Sequence, residues 1–244
     1  HGPGWPVYSG DSFDLWKPDH RPPPFVLPPK EGLAELQRKR QRSALWRRHF
    51  PLSALRDPKT LPQHGARILF RDVTRATDSR TVRACLVPPQ VFAVNTAPSL
   101  VFPKGDATDF AFVLGVMASV PFDWCARRRV ETHLNFFVLN SLPLPRPPRE
   151  DPRRRRVVEL VGRLACPDER FADFARTLGV KHGALSAETK AEMIAELDAT
   201  VALLYGCSAG DVRLMLEDFP TTEAGVSGVR RARILHYMDQ GAAA

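Results

Sequence analysis

Four arginines, Arg71, Arg75, Arg80 and Arg83, flank a turn built from Thr77, Asp78 and Ser79. A guanidinium offers five donors in a fixed fork, which suits phosphate oxygens or the O6 and N7 acceptors of guanine. Set on a turn between two strands, these arginines predict a cationic tip that also carries Thr81. The alternative is a solvated loop whose charge keeps the chain soluble. A second basic group follows at Arg127, Arg128 and Arg129. A third, Arg38, Lys39, Arg40, Arg42, Arg47 and Arg48, places six cations in eleven residues. It reads either as a clamp on a phosphate backbone or as a soluble helix face. Between Arg21 and Arg83 there are 15 Lys and Arg against 5 Asp and Glu, and that local excess favours phosphate.

Other chemistry is hard to place. No Gly-x-x-x-x-Gly-Lys-Ser/Thr loop, Gly-x-Gly-x-x-Gly turn, Gly-x-Ser-x-Gly elbow or His-Glu-x-x-His pair occurs. The seven histidines are isolated; His133, beside an arginine run, is the one to watch. Cys85, Cys125, Cys166 and Cys207 are too evenly spread for a zinc knot. They read as reduced, mostly buried thiols of a cytoplasmic protein. Neither a catalytic site nor a metal site is therefore expected within these residues.

The elements that must carry the arginines can be read from periodicity. Ile68 and Phe70, then Val82, Ala84 and Leu86, alternate as two half-buried strands of a hairpin. Residues 5–19 suggest a second hairpin about Ser9-Gly10, with Trp5, Tyr8, Phe13 and Trp16 packed inward. Glu31 to His49 has the spacing of one helix, and Gln90 to Pro103 that of another strand. Thr108 starts a helix apolar on nearly every side, hence buried, which Pro121 breaks. Leu134 to Leu139 resembles a covered strand, with Phe122, Trp124, Phe136 and Phe137 as core. Beyond Pro152 the pattern turns helical. Ser186 and Ser208 are predicted N-caps, Gly206 a stop, and Arg230, Arg231 and Arg233 a short basic tail.

The fold class expected is α+β, a mixed-sheet domain with a buried helix over residues 1–150, then a helical bracket over 151–244. From Ala184 to Ala224 acids outnumber bases eight to two, so the bracket suits phosphate poorly. The whole chain carries 35 Lys and Arg against 27 Asp and Glu, net +8, which favours a polyanionic partner, nucleic acid before membrane. No apolar run reaches the length of a membrane span. A start at His1-Gly2 suggests a piece of something longer.

The segment from Arg67 to Thr81, with Pro88-Pro89, resembles the target-recognition region of large DNA adenine-N6 methyltransferases, including type IIG restriction-modification enzymes and phage-defence methylases. So do Pro6 to Trp16, Phe122 to Arg127, Leu134 to Pro145, Glu196 to Gly206 and Leu216 to Pro220, in the same order. The resemblance covers nearly the whole chain. It implies a reader of double-stranded DNA, partnered by a catalytic methyltransferase domain of the same protein that binds S-adenosylmethionine. The Asn/Asp-Pro-Pro-Tyr/Phe motif of that half is missing here; Asn95 to Pro98 is no match. This reading assigns Arg71, Arg75 and Arg80 to bases or phosphates. Thr77, Thr81, Arg127, Arg128 and Arg129 approach the duplex, and Arg38, Arg40, Arg42, Arg47 and Arg48 contact phosphate alone. Two other classes stay open: a subunit whose basic helix binds an acidic protein, and an enzyme whose site another chain completes.

Overall fold

The computed structural model describes residues 4–242. The proposed internal start at His1-Gly2 lies outside the described residues. The fold is α+β, as the sequence predicts. In chain order it runs β1 (Trp5–Tyr8) and β2 (Phe25–Leu27), then α1 (Pro29–Arg42), α2 (Ala44–His49) and α3 (Leu52–Arg56). Next come β3 (Arg67–Phe70), β4 (Ala84–Val87) and β5 (Phe92–Ala93), followed by α4 (Ala107–Ala118), α5 (Val120–Arg127) and α6 (Phe136–Ser141). The remainder is helical, with α7 (Pro152–Ala165), α8 (Ala172–Thr177), α9 (Ala187–Leu204), α10 (Ala209–Glu217) and α11 (Gly228–Ala242).

The predicted hairpin over Arg67 to Val87 forms, with β3 antiparallel to β4 and Ile68 opposite Leu86. Residues 5–19 make no hairpin of their own. Instead β1 pairs antiparallel with β2 and parallel with β5, giving a three-stranded sheet ordered β2-β1-β5. The expected packing of the early aromatics holds, since Tyr8, Phe13 and Trp16 are buried. The long helix expected from Glu31 to His49 is two. Ser43 takes an extended conformation, and its hydroxyl accepts from the Trp46 amide to start α2.

Helix α4 is buried along most of its length and opens on a reciprocal cap between Asp106 and Asp109. It ends at Ser119, which caps α5 in turn. Pro121 therefore sits in the first turn of α5, where a missing N–H is harmless. Gly115 lets α4 lie against α7 and α9: a Cβ there would stand 2.6 Å from Val157 and 2.8 Å from Val161. One apolar core takes Ile68, Phe70 and Phe112 together with Val157, Leu160 and Leu197. The composition change at Pro152 is thus no break in packing.

Three further expectations need correction. Leu134 to Leu139 is no strand, because the Asn135 side chain accepts from Val138 N and starts α6. Of the four aromatics assigned to the core, Phe122 is buried and Trp124 half-buried, but Phe136 and Phe137 face solvent, Phe137 at 86% exposure. The basic tail is helix α11, whose Ile234 and Met238 are buried beside Ala195 and Ala202 of α9. Ser186, Ser208 and Gly206, with φ of 74° at Gly206, cap and stop their helices as expected.

Candidate nucleic-acid interface

Residues 71–83 connect β3 to β4 as a long, internally bonded loop. Thr74 Oγ1 donates to Thr81 O at 2.8 Å, Thr81 Oγ1 donates to Arg75 O at 3.1 Å, and Asp78 Oδ2 accepts from Arg75 N at 3.1 Å. The base of the loop pairs with the chain beyond α5, since Leu134 N donates to Asp72 O and Thr74 N to Thr132 O. Asp72 also faces His133, whose Nδ1 stands 3.1 Å from the carboxylate.

Asp123 of α5 organises this loop from below. Its carboxylate accepts from Arg80 Nε at 2.6 Å and from the amides of Thr81 and Val82, both at 2.9 Å. Arg80 Nη2 donates to the carbonyl of Ala118, which closes α4, and to that of Ser119. Arg80 is 2% exposed and Thr81 fully buried. Their assignment to DNA is therefore corrected: a guanidinium already holding a buried carboxylate cannot also reach a groove.

Arg127 is likewise structural. Its Nη1 donates to Ala76 O at 2.7 Å and its Nη2 to Asp78 O and Ser79 O, while the guanidinium lies 4.3 Å from the Phe219 ring centroid. Burial lowers its pKa, only partly opposed by Asp123. Arg71 donates from Nε to Gly10 O at 2.7 Å and pairs with Asp11, and Arg83 Nη1 contacts both carboxylate oxygens of Asp14. Arg71, Arg80 and Arg83 line a cleft of about 590 Å³ shared with Lys190 and Arg230. That cleft draws them toward the helices and away from the loop tip. Arg128 stacks on Trp124 and pairs with Asp218 at 2.7 Å. Exposed side chains free of such partners are Arg75, Thr77 and Arg129.

The α1–α2 group divides the same way. Arg40 points inward at 4% exposure, with Thr60 Oγ1, Gln37 Oε1 and the carbonyls of Leu55 and Asp57 as its acceptors. It holds α1 against α3, so its assignment to phosphate is also corrected. Arg38 is exposed and pairs with Glu35, as does Lys39. Arg42, Arg47 and Arg48 are exposed and have no carboxylate partner among the described residues. Arg56 and Lys59 continue the same exposed, basic surface, and sequence reasoning passed over both. Their signal was available, because Asp57 is the sole acid between Leu36 and Arg71.

Asp123 was also missed. A lone carboxylate in the apolar Phe122-Asp123-Trp124 stretch must find a cation once buried, and that requirement could have selected Arg80 from the arginines of the turn. Among the described residues no group of His, Cys, Asp and Glu is placed to hold a metal ion. Among the described residues, exposed arginines without a carboxylate partner include Arg42, Arg47, Arg48 and Arg56 of α1–α3, Arg75 at the tip and Arg129, as well as Arg21, Arg146, Arg153 and Arg213. No family model, curated protein or solved structure matches the chain.

Proposed function

We propose that this chain binds double-stranded DNA, as the specificity part of a DNA adenine-N6 methyltransferase of the restriction-modification or phage-defence kind. Catalysis and S-adenosylmethionine belong to a separate domain in this reading. The observation that carries it is the unpaired cationic surface of α1–α2. Most arginines elsewhere in the chain are bound to carboxylates or carbonyls, whereas Arg42 and Arg48 extend from exposed helix positions with neither, and Arg47 meets only Gln41 O. Cations left free in this way can displace the counterions of a duplex. Arg75, Thr77 and Arg129 are the remaining candidates for base contact, because they alone of the loop and α5 group are free to move into a groove.

Fluorescence anisotropy of a labelled duplex, titrated across salt concentrations, tests the proposal. Each phosphate contact adds about 0.9 to the steepness of log K against log salt. Arg42→Gln, Arg47→Gln and Arg48→Gln combined should flatten that slope by roughly 2–3. No duplex binding at low salt would reject the reading in favour of an acidic protein partner.

A further inference from the structure

Arg67 opens β3 at 2% exposure, deeper than any position where an unpaired guanidinium is ordinarily found. No carboxylate meets it. Nη2 donates to Val91 O at 2.6 Å, while Nε and Nη1 have no acceptor among the described residues. Glu35, which lines the same pocket, is engaged by Arg38 and Lys39. Burial lowers the Arg67 pKa to about 10, a sign that the site taxes the cation without compensating it.

Arg67 lines a pocket of about 510 Å³ between α1 and the three-stranded sheet. Val7, Phe25, Leu27, Leu36 and Phe92 form its apolar walls, and Glu35, Lys39, Asn95 and Ser99 its polar ones. Gly32 of α1 sits directly on the Phe92 ring, where a Cβ would come within 2.4 Å, so helix and sheet approach as closely as they can. Gln63 Oε1 also borders the pocket and has no donor. Glu35 and Lys39 pair with each other, which leaves Arg67 as the lining charge without a counterion among the described residues. A largely apolar pocket with a few polar groups that fix orientation is the usual form of a small-molecule site.

We infer that this pocket binds an amphiphilic carboxylate, its acid group on Arg67 and its apolar body against Phe25, Leu36 and Phe92. A carboxylate takes the two parallel donors of a guanidinium edge and supplies the missing countercharge. A phosphate head is a poorer match, since Lys39, the other cation of the lining, is already paired with Glu35. The site involves none of the exposed arginines of α2 and is independent of duplex binding.

Titration calorimetry of the whole chain with octanoate, and with octanol as the neutral control, tests the inference. Octanoate should bind saturably, with octanol at least ~10-fold weaker, the separation that 1.4 kcal/mol of charge-assisted bonding gives. Arg67→Met should abolish the preference for octanoate while the thermal midpoint stays the same or rises, because it removes a buried unpaired charge. Phe25→Ala, at a half-exposed rim position, should weaken octanoate several-fold in a chain whose fold is not in question. Equal affinity for octanol, or octanoate binding unmoved by both variants, would overturn the inference, as would the lack of any saturable heat. None of these outcomes bears on the salt dependence of duplex binding.

Discussion

Arg80 Nε and Asp123 Oδ2 lie 2.6 Å apart with both side chains essentially out of water, joining the β3–β4 loop to helix α5. Nearby charge–carbonyl bonds make this pair the keystone of the loop. Because each partner would leave the other buried and uncompensated, removing one is more damaging than replacing both.

Asp123→Ala should therefore destabilise the chain by about 3–5 kcal/mol. The double variant Arg80→Met, Asp123→Leu should recover a large share of that loss. Urea unfolding of the two variants beside the parent chain measures both quantities, and a double variant no more stable than Asp123→Ala would contradict the pairing.

Arg80→Ala and Arg75→Ala should separate stability from recognition. The first lowers the denaturation midpoint yet leaves affinity for a scrambled duplex, which rests on the exposed cations of α1–α2, unchanged per folded molecule. The second leaves stability within about 0.5 kcal/mol and weakens binding to a preferred duplex more than to a scrambled one. Parallel melts and anisotropy titrations on the same preparations decide this.

Gly115→Ala forces a methyl into the space held by Val157 and Val161. The α4–α7 contact must open, at about 1–3 kcal/mol. A differential scan showing an unchanged midpoint would mean that the helices do not approach as described.

Acid should unfold the chain partly through Asp14. Burial alone would raise its pKa, but Arg83 Nη1, 2.6 Å from both carboxylate oxygens, and the Leu15 amide bring it below the ordinary carboxylate value. A folded-state pKa below the unfolded one stabilises the fold at pH above the unfolded value, and that contribution fades as pH drops through the folded value. Arg83→Met leaves the burial effect opposed only by the Leu15 amide and by Arg71, so acid unfolding should move to higher pH. Circular dichroism followed through an acid titration reads the shift.

Burial pushes the Cys85 and Cys166 thiols up to about 12. Both are free and buried, so a disulfide reagent at neutral pH should modify them only as fast as the chain opens. Half-buried Cys125 and Cys207, with thiols raised less, should react first. Mass spectrometry of timed quenches gives the order.

How far the sequence could be read depended on whether local or distant partners decide an element. The β3–β4 pairing, the burial of α4 and the caps at Ser186 and Ser208 follow from neighbours a few residues away, and were legible. Asn135 and Ser43 misled because one side chain capping an amide overrides an apolar period. Charge was the hardest to read. Arg80 and Arg75 differ by five positions and look alike, yet a carboxylate 43 residues onward makes one of them interior. Arg230 became part of a helix for a similar reason: buried Asp198 accepts its fork while also holding Val120 N, and nothing near Arg230 announces that partner.

Arg127 grips the carbonyls of Ala76, Asp78 and Ser79 on one side and leans on Phe219, just past α10, on the other. The far C-terminal helices are in this way a strut beneath the loop tip. A shortened chain ending after α9 would lose the ring that backs this guanidinium, and Arg75 and Thr77 would hang from a slackened hinge. Trimming the molecule to its sheet half would blunt its aim before it impaired its grip.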